Sequence, residues 1–423
     1  MGETGRRAWV AVALAVCASA LIGCSSGGGA PKRHASTSTR SSATSTTTTT
    51  RALPPEGWEQ LPPAPGALGK YAVWTGSEYV GGPSGCCDDL GGTEVYGYSA
   101  SARAWRALAP FPLGARSGEG AVWTGHEMIV VGGKQAASAD DSTATDAVPT
   151  ATGAALDPAA DTWRTIAPMP EPMQYVAGAV WTGSEVLVFD TARLFRYDPV
   201  GDRWSTGAPP PFLRSGTATV WSGKELLVWA GADVPSPDAP SLSVVVHDDG
   251  AAYDPATNSW RSIAPAPVPA RTGSTGVWTG SRLIVWGGYG SDGPMGAGNQ
   301  GPLGKGASYD PATNTWAALP ASPLKARGGQ QMVWTGREVL VWGGQVAPSE
   351  ADPDPLAVYP RDGAAYDPAA RTWRRMPTAP PSPPSLLTAF SVVWTGDVAL
   401  FVGGADRNAQ GVGPLGLSYA PGR

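Results

Sequence analysis

The run Cys86-Cys87-Asp88-Asp89 places two adjacent thiols beside two adjacent carboxylates, a set that could bind a metal, switch redox state or form a disulfide. Zinc normally takes four nitrogen or sulfur ligands, and no histidine lies near these two sulfurs in the sequence. Neighbouring Cα atoms lie about 3.8 Å apart across a trans peptide, below the usual disulfide range, so a bond between them would be strained. We predict a vicinal Cys86–Cys87 disulfide and no metal or cofactor. Two free thiols, or a bond to another chain, are the alternatives.

Four arginines form the second chemical pattern. Each stands seven residues before a tryptophan of a recurring Val-Trp-Thr-Gly or Val-Trp-Ser-Gly motif: Arg116, Arg214, Arg271 and Arg327. The other three copies of the motif have Ala67, Gln174 and Leu387 at this position. Guanidinium groups gathered on one surface would suit carboxylate ligands. The alternative is that they pair with aspartates of the same protein, which are frequent in the segments between motifs.

General acid–base chemistry has few candidates outside these sets. Histidine is the usual general base, and beyond residue 52 the sequence has only His126 and His247, which are 121 residues apart. An enzyme needs several such groups to converge, and no clear set does so here. We therefore favour a binding protein over an enzyme, with an enzymatic use of arginine and aspartate left open.

The N-terminus indicates export. Arg6 and Arg7 precede an uncharged run from Ala8 to Ile22, which is shorter than the about 20 residues that a membrane helix needs and is typical of a secretory signal. Leu21-Ile22-Gly23-Cys24 resembles the lipobox of bacterial lipoproteins, which implies cleavage before Cys24 and a lipid on its thiol. We predict a signal peptide at 1–23 and attachment to the outer side of the cell membrane through this lipid alone. An ordinary signal followed by a chance cysteine is the alternative.

Residues 24–52 are rich in Ser, Thr and Gly and lack apolar periodicity, so they predict a disordered tether. Six of the 30 Lys and Arg and one of the 35 Asp and Glu lie in the first 52 residues. The remaining 53–423 carries a formal charge of −10, which repels phosphate backbones and disfavours nucleic acid as a partner.

A repeat of about fifty residues must position all of these groups. The Val-Trp-Thr-Gly motif, with one Ser variant, occurs seven times, at Trp74, Trp123, Trp181, Trp221, Trp278, Trp334 and Trp394. A second motif of the type Tyr-Asp-Pro, with a tryptophan seven residues after the Tyr or Leu, follows six copies. Both motifs contain turn residues between β-branched runs, so each repeat predicts two β-hairpins. Radial repetition of such units predicts an all-β propeller with seven four-stranded antiparallel blades.

The last repeat lacks its fourth strand, and Gly57-Trp58-Glu59-Gln60 has the sequence of one. We predict that this N-terminal strand closes the ring, which removes the exposed sheet edges. The recurring register of the tryptophans favours packing between blades over a carbohydrate-stacking surface.

The hydrophobic run ending in Gly-Gly, then Tyr-Asp-Pro, then Trp resembles the kelch repeat of the galactose-oxidase-like propellers. The third copy departs by ending in Leu-Val-Phe and the first by lacking Asp-Pro. The resemblance implies that the long loops gather on one face around the channel, with the four arginines at its mouth and the Trp-Thr-Gly hairpins on the opposite face. Copper-radical oxidases of this fold use two His, two Tyr and a Tyr–Cys link, a set this chain cannot assemble.

We therefore predict a monomeric ligand- or protein-binding module for an unknown protein or a small acidic or carbohydrate ligand. A sugar-directed enzyme such as a sialic-acid-type epimerase or lyase, using arginine and aspartate at the channel mouth, is one alternative. A structural spacer in the envelope is the other.

Overall fold

A computed structural model describes residues 55–66, 68, 71–82, 90, 92–136, 147–234, 245–290, 301–347, 359–380, 386–405 and 415–422. The predicted signal peptide, tether and lipidated Cys24 lie outside these ranges, as do Cys86 and Cys87. Among the described residues, there is no helix with the length and apolarity needed to cross a membrane.

The described residues form seven four-stranded antiparallel sheets. Sheet 1 contains β2 (Ala72–Trp74), β3 (Glu78–Gly81), β4 (Val95–Ser99) and β5 (Ala104–Leu108). Sheet 2 contains β7 (Gly120–Trp123), β8 (Met128–Val131), β11 (Gly153–Asp157) and β12 (Thr162–Ile166). Sheet 3 contains β13 (Gly178–Trp181), β14 (Val186–Phe189), β15 (Leu194–Asp198) and β16 (Arg203–Thr206). Sheet 4 contains β18 (Ala218–Trp221), β19 (Leu226–Trp229), β21 (Gly250–Asp254) and β22 (Ser259–Ile263).

Sheet 5 contains β23 (Thr275–Trp278), β24 (Leu283–Trp286), β27 (Gly306–Asp310) and β28 (Thr315–Ala318). Sheet 6 contains β29 (Gln331–Trp334), β30 (Val339–Trp342), β31 (Gly363–Asp367) and β32 (Thr372–Arg375). Sheet 7 contains β33 (Leu386–Trp394), β34 (Ala399–Ala405), β35 (Leu415–Ala420) and β1 (Gly57–Gln60). Within each sheet the strands are paired in this order. The predicted all-β class and four-stranded antiparallel sheets are confirmed.

The first strands of the sheets form a closed cycle. Each contacts the first strand of the next sheet, and β33 of sheet 7 returns to β2 of sheet 1. The chain closes this ring with β1, which pairs with β35 so that Trp58 lies opposite Tyr419. The predicted closure by the N-terminal strand is confirmed.

Turn chemistry explains the two hairpins of each sheet. In the first hairpin of sheet 2, Gly125 has a φ of 94°, a conformation that glycine adopts without strain. The hydroxyl of Thr124 accepts a hydrogen bond from the backbone N–H of Glu127 and fixes the reversal. In the second hairpin, the carboxylate of Asp157 accepts bonds from the N–H groups of Ala159 and Ala160. These turns define one end of the ring, the hairpin face; the connections from second to third strands lie at the other end, the loop face.

The core is divided into seven apolar clusters, each lying between two neighbouring sheets. Each cluster has one hairpin tryptophan and one outer-strand tryptophan packed against it, as Trp181 and Trp204 do between sheets 2 and 3. Trp229, Trp286 and Trp342 at the ends of second strands are fully buried. The tryptophans therefore join the sheets, as their register indicates.

A single residue, one or two positions after the end of each fourth strand, links its sheet to the next. We call it a seam residue. The indole of Trp204 in sheet 3 donates to the carbonyl of Ala167 in sheet 2 at 2.7 Å, while the Ala167 N–H donates to the Asp202 carboxylate at 2.9 Å. Seven seam residues accept from the next tryptophan in this way: Pro62, Ala109, Ala167, Ala208, Ala264, Pro320 and Pro377.

Candidate functional site

Sheets 2, 4, 5 and 6 carry a second layer of short backbone pairing at the loop face. Sheet 2 has β6 (Arg116–Ser117), β9 (Lys134–Gln135) and β10 (Val148–Pro149); sheet 4 has β17 (Arg214–Ser215) and β20 (Ala232–Asp233). Sheet 5 has β25 (Tyr289–Gly290) and β26 (Gly301–Pro302), with a bridge between Thr272 and Tyr289. Sheet 6 has a bridge between Gly328 and Gln345. These are the four sheets in which the arginine pattern occurs, so each predicted arginine lies at or beside one of these pairings.

The four arginines are buried, with exposed fractions of 3%, 8%, 0% and 0% in chain order. Arg271 shows the common contact: its Nη1 donates to the carbonyls of Gly287 at 2.8 Å and Lys305 at 2.7 Å. Gly287 follows the second strand of sheet 5 and Lys305 precedes the third, so the guanidinium ties the two ends of the long loop together. Arg327 makes the equivalent bonds to Gly343 and Asp362.

Arg116 repeats this arrangement in sheet 2, where Nη1 donates to the carbonyls of Gly132 and Thr152, each at 3.1 Å. Burial lowers the pKa of Arg116 to about 10, against the opposing influence of the Glu119 carboxylate, so the side chain stays charged at neutral pH. The phenol of Tyr71 shares this environment. Burial, followed by the Glu119 charge, raises its pKa above the ordinary value.

Arg214 departs from the other three. Its Nη1 donates to the Asp249 carboxylate at 2.6 Å and reaches the Asp249 carbonyl at 3.5 Å. The ring of Phe212 lies under the guanidinium, with its centroid 4.6 Å from the Cζ atom. The Nε atom is buried and has no hydrogen-bond partner among the described residues. Arg116 shares these last two features, since its Nε also has no such partner and its guanidinium lies 4.6 Å from the Phe111 ring centroid.

The arginines therefore serve first as internal ties, and two of them pair with aspartates, Arg214 with Asp249 and Arg327 with Asp362. Ligand binding by these four residues stays a prediction. Their burial could not be predicted from the sequence, because the groups that cover them are backbone carbonyls at the ends of long loops. Tyr71 and Glu119, which interact with Arg116, were not predicted as residues of this site. They stand three and four residues before a hairpin tryptophan, at positions whose residue type varies from copy to copy, so no recurring motif marks them.

The two histidines lie on opposite faces. His126 is in a hairpin turn and interacts electrostatically with Asp157, whereas His247 lies at the loop face with Nε2 2.7 Å from the Asp233 carboxylate. Over the described ranges, no group of three or more His, Cys, Asp or Glu side chains could hold a metal ion.

Comparison with known proteins agrees with this architecture. Residues 179–404, more than half of the chain, match the KLHDC2/KLHL20/DRC7 Kelch-repeats domain. The chain belongs to the kelch-repeat family. It is 24% identical over 241 residues to the N-acetylneuraminate epimerase of Brucella melitensis biotype 1, covering 49% of this chain and 60% of the epimerase. It is also 28% identical over 138 residues to Kelch-like protein 35 of Mus musculus, covering 31% of this chain and 22% of that protein.

Two solved structures share the fold of this kelch protein. The protein YjhT aligns with a TM-score of 0.54 and 16% identity, over 74% of this chain and 99% of that one. A fungal alcohol oxidase of the AA5 family, solved in complex with copper, aligns with a TM-score of 0.59 and 14% identity, over 87% of this chain and 76% of that one. At these identities the likeness shows the kelch-type propeller fold alone.

Proposed function

We propose that this kelch propeller is a lipid-anchored, extracytoplasmic module that binds a ligand or protein partner at its loop face. The observation that carries the proposal is the point at which the N-terminal segment joins the ring. Gly57 pairs with Ala420, the last residue of β35, and β35 runs from the loop face to the hairpin face. The chain therefore enters the propeller at the hairpin face, opposite the loop face.

Contacts of Glu56 fix this entry point. Its carboxylate accepts a hydrogen bond from the Tyr419 hydroxyl at 2.6 Å and pairs with Arg374. Arg374 also pairs with Glu338 at 2.8 Å, and Glu338 closes a Trp-Thr-Gly hairpin. These charges hold the chain against the hairpin face immediately before β1 begins.

The tether between Cys24 and this entry point favours one orientation. A disordered tether of the length that the sequence predicts would have a root-mean-square span of about 30 Å, less than the about 50 Å diameter expected of a domain of this size. Turning the loop face toward the membrane would require the segment to wrap around the propeller. The loop face, with its buried arginines and acidic loop ends, is then the surface presented to partners.

Two experiments test the proposal. Membrane fractionation of the wild type and Cys24→Ala comes first: we expect the wild type in the membrane fraction and the variant released, and equal partitioning would contradict the anchor. Orientation is then read from single cysteines at Leu213 on the loop face and Val200 in a hairpin-face turn, which are 58% and 95% exposed.

These cysteines are introduced with Cys86 and Cys87 replaced by serine. We expect a bulky water-soluble thiol reagent to label the cysteine at 213 faster on intact cells, although position 200 is more exposed in the isolated domain. If the two cysteines are labelled on cells in proportion to their exposure in the isolated domain, the orientation is contradicted.

A sugar-directed enzyme is the second candidate, because a curated relative is named N-acetylneuraminate epimerase. The paired Arg214 and Asp249, or Arg327 and Asp362, would supply the charged groups. NMR of N-acetylneuraminate with purified protein tests this: faster exchange between its anomers supports catalysis, and an unchanged rate contradicts it.

A further inference from the structure

Backbone hydrogen bonds join neighbouring sheets at the loop face. The Arg271 N–H donates to the carbonyl of His247 at 3.0 Å, and the Arg271 carbonyl accepts from the N–H of Gly231 at 2.9 Å. His247 and Gly231 belong to the two ends of the long loop of sheet 4, whereas Arg271 leads into sheet 5. Met173 and Arg327 are bonded in the same way to the loop ends of sheets 2 and 5. At these three boundaries, the segment that precedes a sheet is therefore paired with the sheet before it.

Arg214, which leads into sheet 4, is not paired in this way. It lies opposite Asp233 in the pairing of β17 with β20. The Asp233 N–H donates to the Val245 carbonyl on its other side at 2.9 Å, while the Val234 N–H donates to the Leu213 carbonyl at 3.1 Å. Bonded and non-bonded pairs alternate along an antiparallel ladder, so the Arg214 N–H and C=O point away from β20, toward sheet 3. Among the described residues, no backbone group bonds to either of them.

Sheet 3 does not supply the missing partner, because its loop is too short. Only Asp190–Arg193 connects β14 with β15, and the Asp190 N–H bonds to the Arg193 carbonyl at 3.0 Å. The Asp190 carboxylate accepts from two further N–H groups of the same turn. This turn bonds within itself and makes no backbone bond to Arg214. The segment Leu213–Ser215 is consequently an unpaired β edge beside the turn of sheet 3, and we call it the sheet 4 edge.

Exposed aliphatic side chains accompany the sheet 4 edge. Leu213 and Val234 are 58% and 43% exposed, and they share one face of the ladder because they stand opposite each other. At the position of Leu213, the segments leading into sheets 5 and 6 have the smaller Ala270 and Ala326, which are half-buried. An unpaired edge with exposed aliphatic side chains is a template for pairing with another chain.

The turn that faces this edge carries an excess of negative charge. Arg193 pairs with both Asp190 and Glu171, so one positive charge serves two carboxylates, and the Glu171 side chain is 63% exposed. Residues 53–423 as a whole carry a formal charge of −10. Complementary charge steers a partner and fixes its register, so a basic side chain suits a strand added here.

We propose that a partner protein adds an extended segment to the sheet 4 edge, bonding to the backbone of Arg214 as His247 bonds to Arg271. An aliphatic side chain of that segment packs on Leu213, and a lysine or arginine lies toward Glu171. Strand addition of this kind takes its affinity from main-chain bonds and its specificity from alternate side chains. The inference rests on the proposed binding function and names where on the loop face the partner attaches.

Amide exchange tests whether the edge is open. In purified protein labelled with ¹⁵N-arginine, we expect the Arg214 amide to exchange about a hundredfold faster than the Arg271 and Arg327 amides, which are paired. Equal protection of the three amides in the free protein would overturn the proposal. Concentration-dependent self-association that protects Arg214 would also overturn it, because a second copy of the chain would then occupy the edge.

A basic β-forming peptide, acetyl-Lys-Val-Thr-Val-Lys-amide with a fluorescein label, then probes the edge by fluorescence anisotropy. We expect saturable binding that slows exchange of the Arg214 amide. The same peptide with N-methyl groups on its three central amides keeps its charges and loses its donors, so its affinity should fall about tenfold or more. No saturable binding, equal binding of the methylated peptide, or an unchanged Arg214 amide would each contradict strand addition.

Leu213→Lys removes the aliphatic contact and places a positive charge beside the basic probe, so we expect binding about tenfold weaker. Val200→Lys is the matched control, since Val200 is 95% exposed in a hairpin-face turn and its replacement should leave binding unchanged. Both positions are on the surface, so neither change removes a buried contact. Equal binding by the two variants would overturn the proposal. None of these results bears on membrane fractionation, so the anchored module is judged separately.

Discussion

The indole of Trp105 in sheet 1 donates a hydrogen bond of 2.9 Å to the carbonyl of Pro62, which follows the N-terminal strand of sheet 7. This contact joins the first and last sheets of the ring. It has the same form as the contact between Trp204 and Ala167 at an internal seam. The closing seam is thus built like the others, although its two sides come from the N-terminal strand and the first repeat.

We expect Trp105→Phe to lower the free energy of unfolding by about 1 kcal/mol through loss of this bond, with a further loss from reduced packing on Tyr79 and Tyr98. Trp204→Phe removes the equivalent bond between sheets 2 and 3 and is the matched control. Urea unfolding monitored by circular dichroism gives both values. A loss for Trp204→Phe with none for Trp105→Phe would show that the closing seam does not contribute to stability.

The seam residues also explain a substitution pattern that is visible in the sequence. Where the seam residue is alanine, its N–H donates to an aspartate or asparagine of the next sheet: Asp161, Asp202, Asn258 and Asn314. Where it is Pro62 or Pro320, which have no N–H, the equivalent residues are Arg103 and Arg371. All six of these residues have positive φ, which asparagine tolerates better than arginine.

We therefore expect Arg371→Asn to stabilise the protein by relieving this backbone conformation, and Pro320→Ala combined with it to add a seam hydrogen bond. The two changes should be coupled by about 1 kcal/mol in a double-mutant cycle. Arg371→Asn with Pro320 retained measures the backbone effect together with the loss of the exposed bond from Arg371 Nη2 to the Ala318 carbonyl, and the double-mutant cycle separates both from the new seam bond. Additive effects of Pro320→Ala and Arg371→Asn would mean that the new bond does not form.

Asp202 predicts a specific pH dependence. The Tyr197 hydroxyl, then the Ala167 N–H, holds the pKa of Asp202 below its ordinary value. A carboxyl group with a lowered folded-state pKa stabilises the protein above its unfolded pKa of about 3.9, and this contribution is lost as the pH falls through the folded value. Asn258 accepts the same two bonds in sheet 4 without titrating.

We expect wild type and Asp202→Asn to differ most in unfolding free energy at pH 5 to 7, with the wild type more stable, and to converge below pH 4. Asn258→Asp should acquire the dependence that Asp202→Asn loses. Urea titrations across this range measure it. A constant difference between wild type and Asp202→Asn would contradict the role of the ionised carboxylate.

Gly328 is required by an aromatic contact at the loop face. A Cβ at this position would lie 2.2 Å from the Tyr289 ring. Tyr289 is half-buried, and burial raises its pKa to about 12. We expect Gly328→Ala to displace the ring and destabilise the protein by about 1–3 kcal/mol, visible as a lowered tyrosine pKa in ultraviolet titration. Gly301→Ala, with no atom within 4 Å of the new Cβ, should change neither quantity.

The fold was predictable because its signals are local and repeated. Gly125 and Asp157 belong to turn motifs that recur through the chain, and Trp58 stands in a fourth-strand sequence that the seventh repeat lacks. The site was less predictable, because the burial of Arg271 depends on Gly287 and Lys305 in a distant loop end and on Trp229 in another sheet.

The seam residues on both sides of sheet 6 and of sheet 7 are prolines: Pro62, Pro320 and Pro377. These boundaries lack the alanine N–H link, and two of them carry surface ion pairs instead, Arg103 with Glu59 and Arg374 with Glu56. Such pairs weaken as salt screens them. The segment leading to the proposed anchor enters at these same sheets, so mechanical force on the tether would load the sheet boundaries that lack the alanine N–H bond. High ionic strength would lower the force at which the ring opens.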